Sequence, residues 1–115
     1  LKKEITAMQM TIQEIKNAIN YDELNSVEII KTTYESIKNA NDGILEILGV
    51  DDLENIYFML VLLAEKCELL SRRSKLSSPS SEGFKAFELR YKIFETAGFY
   101  TRTRNNIIRR VLAAQ

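Results

Sequence analysis

A chain of 115 residues can hold one domain's core, and 45% apolar content makes it too rich in core-formers to stay disordered. It has no histidine and one cysteine, Cys67, which removes histidine-dependent triads, the usual zinc sites and any internal disulfide. The formal charge is zero, yet residues 22–68 carry eleven acids against three bases, and residues 69–115 carry ten bases against three acids.

Opposed halves of this kind suit internal pairing, head-to-tail self-association, or an acidic partner for the basic half. One proline and four glycines leave few breakers, so long helices are expected. No run alternates apolar and polar residues cleanly enough for a strand. No DxDxDG-type loop or glycine-rich phosphate loop is present, and no cofactor is expected.

The first helix is expected from Lys3 to about Asn20. Ile5, Met8, Ile12, Ile15 and Ile19 step 3, 4, 3 and 4, one seam of a helix with a polar back. Met8 lies on that seam and Met10 off it. Asn20 or Asp22 can cap a second helix, whose seam Leu24, Val27, Ile30, Tyr34, Ile37, Asn41, Ile44 and Leu48 keeps phase. That phase favours one helix running on through Asn41, Asp42 and Gly43 to Leu48. A turn at these three residues is the alternative. A lone asparagine on an apolar seam can fix register or oligomeric state.

Gly49 is placed to end that helix in a left-handed conformation, and Asp51 with Glu54 to form a capping box. The helix from Asp51 to Leu76 contains IYFMLVLLA, nine unbroken apolar residues from Ile56 to Ala64, and should be the one the others cover. A bilayer span needs about 20 apolar residues, so this run is too short and no membrane span is expected. Cys67 falls on the apolar stripe and reads as a small core residue. No signal-peptide pattern is present, and a cytoplasmic protein is expected. Leu1 stands first in place of a methionine, which fits a piece of a longer protein.

Residues 74–83 read SKLSSPSSEG, a flexible serine-rich connection within one domain spanning 1–115. Ser81 is the expected cap of a fourth helix ending near Ala97. Its seam is aromatic: Phe84, Phe87, Tyr91 and Phe94 step 3, 4 and 3. Rings at helical spacing fill a core, which is the expectation here; stacking on single-stranded bases is the other use. Gly98 should stop or bend this helix, leaving Phe99–Gln115 as a last short one. There Ile107, Ile108, Val111 and Leu112 form an apolar patch beside Arg102, Arg104, Arg109 and Arg110.

The fold expected is therefore all-α: an antiparallel four-helix bundle with a short extra C-terminal helix. A second helix of about 40 Å against a first of about 26 Å would leave seam uncovered, which favours a homodimer. The function expected is a non-enzymatic protein–protein interaction module, an adaptor, inhibitor or regulatory subunit. Its candidate contact residues are Arg102, Arg104, Arg109 and Arg110, with Glu28, Glu35, Asp42 and Glu46 as a second, acidic row. The alternative is a nucleic-acid-binding regulator using the basic C-terminal helix, since arginine and asparagine suit phosphate and base-edge contacts. An enzyme built on paired carboxylates, or on tyrosine and arginine, comes third and would need a polar pocket.

Overall fold

The computed structural model describes residue 3 and residues 12–43, 47–73 and 81–115, and these are helical with no strand among them. Residues 12–18 form α1, followed by a single 3-10 turn at Tyr21–Glu23. Then come α2 (Val27–Asn41), α3 (Val50–Arg73) and α4 (Glu82–Ala113). Ile5, Met8, Met10, Ile44, Glu46, Leu76 and the serine-rich stretch 74–80 lie outside the described residues.

Capping explains where the helices begin. Asn20 caps the 3-10 turn, its Oδ1 accepting from Asp22 N at 3.0 Å, and so does not start α2. Ser26 does that, its Oγ accepting from Ile29 N at 3.3 Å. Ser81 starts α4 as its spacing suggested, accepting from Phe84 N at 3.1 Å. Asp51 is not a cap: α3 begins at Val50, and the Leu53 amide already bonds Gly49 O at 3.1 Å. Asp51 and Asp52 sit in the first turn, where the helix dipole favours acids.

Two expected boundaries are overturned. α2 does not run on to Leu48: it ends at Asn41, and Gly43 takes the left-handed conformation at φ 81°. Gly49, placed for that role by the sequence, has no positive φ. In the other direction, Gly98 does not stop the helix. α4 is one helix of 32 residues, and the separate short C-terminal helix does not exist. A glycine inside a helix costs only about 1 kcal/mol, and packing on both sides of it outweighs that.

The largest helix–helix interface joins α3 and α4. Glu54 meets Arg104 at 3.1 Å and Glu68 meets Arg90 at 3.8 Å, so 14 residues forward on α3 are 14 residues back on α4, and the two run antiparallel. α2 runs parallel to α4. Val27 N donates to Glu82 Oε1 at 3.0 Å near their starts, and Tyr34 Oη lies 2.6 Å from Thr96 Oγ1 further along. α1 is tied to α3 by Lys16 Nζ donating to Asn55 Oδ1 at 3.1 Å.

The core is made by stripes. α3 supplies Leu53, Ile56, Met59, Leu60, Leu63, Ala64, Cys67 and Leu70, all buried. α2 supplies Val27, Ile30, Tyr34 and Ile37; Ile12 and Leu24 close the end near α1. α4 buries Leu89 and Ile93, which were expected to widen its aromatic stripe, but otherwise turns a different line inward: Gly83, Ala86, Ala97 and Tyr100 are buried, while Phe87, Tyr91 and Phe94 are exposed. The helix is turned by about one residue relative to its aromatic seam, because small residues let α4 approach α3 closely. The IYFMLVLLA run is likewise innermost only on one side. Ile56, Leu60, Leu63 and Ala64 are fully covered, whereas Tyr57, Phe58 and Leu62 reach solvent.

Lys66 is the one buried cation of the described core. Its Nζ lies 4.3 Å from the centroid of the Tyr21 ring, which offers the ammonium an electron-rich face in place of water.

The glycines give opposed expectations. Gly98→Ala should raise stability by about 0.5–1 kcal/mol, because alanine favours a helix interior. The added Cβ would meet only the flexible end of Arg102 at 3.4 Å. Gly43→Ala should lower stability by about 1 kcal/mol or more, because φ is positive there although space is open. Urea unfolding of the two variants checks both signs; a loss on Gly98→Ala would mean that α4 breaks there.

Candidate functional site

Among the described residues no helix is long and apolar enough to cross a membrane, and no three Cys, Asp or Glu side chains converge as a metal site would. What the fold does present is three surfaces, and α4 takes part in each.

The first is the back of the α3–α4 hairpin. Phe87, Tyr91 and Phe94 are three and four residues apart and share one side of α4. Thr96, which bonds Tyr34 of α2, is two residues from Phe94 and so points the opposite way. The aromatic side therefore faces away from α2. On α3, Phe58 stands opposite the buried stripe, its ring edge-on to Tyr57 at 5.8 Å, with Val61 one turn on. The two most exposed of these rings, Phe58 at 62% and Tyr91 at 67%, sit on the two different helices. Arg90, stacked 4.8 Å from the Phe94 centroid, and its partner Glu68 cross the seam level with Tyr91, and the same register sets Phe58 level with Tyr100. The result is an apolar face with one ion pair across its seam.

The second surface is a cavity of about 980 Å³ between the C-terminal end of α2 and the middle of α4. Lys38, Asn41 and Asp42 line it from α2, Glu95, Thr96, Phe99, Tyr100 and Arg102 from α4, and Gly43 and Ile47 from the connection. Two of the expected contact residues, Arg102 and Asp42, thus meet at one site. Asn41 and Tyr100 are its buried polar groups. Asn41 Nδ2 donates to Ile37 O at 2.6 Å, and its Oδ1 has no hydrogen-bond partner. A smaller cavity of about 150 Å³ lies on the other side of Tyr100, against Tyr57 and Arg104.

The third is the C-terminal end of α4. The register of the ion pairs sets Val50, the start of α3, level with Ile108, so the last turn of α4 extends past its neighbour. Val111 continues the core-facing line of α4, yet it is 55% exposed, because the register leaves no residue of α3 opposite it. Arg109 and Arg110 are exposed there, and Arg110 Nε bonds only Asn106 O of its own helix, at 3.4 Å.

The remaining candidates separate. Arg104 is spent inside the fold, on Glu54 at 3.1 Å and on Asn105 Oδ1 at 3.0 Å. Glu28 and Glu35 are exposed on α2, but Lys31 and Lys38 follow each by three residues on the same side, so the acidic row is interleaved with bases. Glu46, the last of that row, lies outside the described residues. Sequence reasoning missed the exposed role of Phe58, Phe87, Tyr91 and Phe94. The signal was present in Ala86, Ala97 and Gly83, small residues whose spacing competes with the rings for the core side of α4.

No protein-family model matches the chain, and no curated protein or solved structure matches it either.

Two buried acids have shifted equilibria. Burial pushes the Cys67 thiol from 9.0 up to about 12, against the pull of Arg90. Burial also pushes the Tyr100 phenol from 10.0 up to about 12; the Asn41 hydrogen bond opposes this, and Tyr34 and Asp42 add to it. Both groups keep their protons in the folded chain where the unfolded chain has begun to lose them. The unfolded state therefore binds fewer protons above pH 9, and stability should fall as pH rises from 9 towards 12. Urea titrations across that range check the sign, and Tyr100→Phe should flatten the upper part of the fall. At neutral pH Cys67 should react with alkylating reagents only at the rate of unfolding.

Proposed function

We propose that this chain is a non-enzymatic protein-binding module that receives an amphipathic helix of a partner along the back of the α3–α4 hairpin. We further infer that α1 to α4 close as an antiparallel bundle, with that back as its working face. The observation that carries the reading is the line of exposed rings, Phe58, Phe87, Tyr91 and Phe94. Single exposed apolar residues need no explanation, but a row of large aromatics along one side of α4, with a further exposed ring on the back of α3, does. Aromatic side chains bring much contact area for little lost rotamer freedom and dominate binding energy where they cluster. Two antiparallel helices side by side also form the kind of apolar groove into which a third helix lays its own stripe. The Glu68–Arg90 pair at mid-seam would set the partner's register.

Nucleic-acid binding through Arg102, Arg109 and Arg110 is the second reading. All three are exposed, and none makes an ion pair among the described residues. Against it, Arg109 and Arg110 lie in the last turns of α4, where the dipole is negative and already favours cations. A self-association reading has lost its original support, since α2 has 15 residues and no long uncovered seam.

The experiment is affinity capture from the native source with quantitative mass spectrometry, using three forms of the chain. Wild type should enrich a partner that Phe87→Ser/Tyr91→Ser/Phe94→Ser loses by about tenfold or more. Arg102→Ala/Arg109→Ala/Arg110→Ala should retain it. Undiminished capture by the aromatic variant, with its thermal midpoint intact, refutes the proposal. Anisotropy of labelled single-stranded DNA, RNA and duplex at low salt should show no saturable binding. Salt-sensitive binding that the arginine variant abolishes would install the second reading instead.

A further inference from the structure

One side of α4 is spaced the same way from either end. Phe84, Phe87, Tyr91 and Phe94 step 3, 4 and 3 towards Gly98, and Leu112, Arg109, Asn105 and Arg102 step 3, 4 and 3 back towards it. Phe94 and Arg102 each stand four residues from the glycine, so all these positions share one side of the helix. That side points away from α2, which packs by Thr96. Its first half carries rings and its second half cations, and Phe87, Tyr91, Phe94, Arg102 and Arg109 are exposed there.

Charge follows the same pattern. Glu88 and Glu95 come directly after two of the rings and are seven residues apart, as are Arg102 and Arg109. All four are exposed, and none makes a salt bridge among the described residues. If two such helices lie antiparallel with Gly98 against Gly98, residue 87 of one meets 109 of the other, and 94 meets 102. Arg109 then lies over Phe87 with Glu88 beside it, and Arg102 over Phe94 with Glu95 beside it. Arg90 stacks on the Phe94 ring at 4.8 Å from within the chain, yet the ring is still 44% exposed.

Gly98 is where the two backbones would come nearest. A Cβ there would meet only Arg102 Nη1, at 3.4 Å, the end of an exposed side chain, so packing within the chain does not require the glycine. A helix crossing does use it, because a residue without a Cβ lets another backbone approach. Arg102 has only to swing out of that gap onto Phe94 of the second copy.

We propose that α4 pairs with α4 of a second copy, antiparallel about a two-fold axis at Gly98. A two-fold contact needs one surface complementary to itself, and rings against arginines with acids alongside meet that need. The contact uses fewer than the roughly 20–30 residues a side of a standard interface, so a micromolar monomer–dimer equilibrium is expected. This pairing goes beyond the partner reading. It covers the same rings and so competes with a partner helix, but only the pairing uses Arg102 and Arg109, so either can fail without the other.

The test is sedimentation equilibrium of the full chain across the micromolar range, with two charge-reversed forms beside it. Wild type should dimerise reversibly. Arg102→Glu/Arg109→Glu sets acid against acid at every charged contact of the pair, and Glu88→Arg/Glu95→Arg sets base against base. Each alone should associate about tenfold or more weakly. Mixed in equal amounts, the two restore opposite charges throughout and should form a heterodimer. Gly98→Leu in both chains should abolish that heterodimer, which attraction between net charges alone would leave intact. The four reversed side chains are exposed and unpaired, so thermal midpoints should show both forms folded. The proposal is overturned by a wild type that stays monomeric, by dimers that persist in both reversed forms, by a mixture that fails to associate, or by a mixture that Gly98→Leu leaves associated.

Discussion

Close approach between α3 and α4 is the constraint on which the rest of this molecule hangs. α3 brings branched and bulky side chains to the seam; α4 brings Gly83, Ala86 and Ala97 alongside Leu89 and Ile93. Large against small is how two helices interdigitate without voids. Once α4 turns its small residues inward, its rings at 87, 91 and 94 must turn outward. The exposed aromatic face is thus a geometric result of the packing rather than an addition to it. The same rotation brings Arg90 and Arg104 to the edge of the seam, where Glu68 and Glu54 meet them. Both pairs are partly solvated and contribute at most about 1 kcal/mol each, so they fix register more than they add stability.

Much of this was legible beforehand, and the failures have physical causes. Helical class followed from 3–4 spacing in every segment, and the burial of Ile56, Leu60, Leu63 and Cys67 from one stripe of α3. Ser81 announced itself as a cap. The aromatic seam misled because hydrophobicity was weighed without volume: two candidate lines ran along α4, and the less apolar one packed better. Gly98 misled in the same way, since a breaker's local cost is small beside the contacts of a 32-residue helix. At Asn41 the error ran in the opposite direction. The seam keeps phase to Leu48, but phase says nothing of backbone strain, and an Asn-Asp-Gly sequence can turn at little cost. Leu48 is buried all the same, beyond the turn at Asp42 and Gly43.

The opposed charge of the two halves meets inside the fold at two points, Glu54 with Arg104 and Glu68 with Arg90. Glu82, an acid of the basic half, accepts from the Val27 amide. Hydroxyls behave likewise. Thr33, Ser36, Thr96 and Thr103 each donate to a carbonyl one turn back on their own helix, so the polar sides of α2 and α4 are largely self-contained.

Both cavities are lined by Tyr100, which stands as the wall between them. One phenol ring thus partitions two recesses of the surface, and a small side chain in its place would merge them into a single hollow reaching from Gly43 to Arg104.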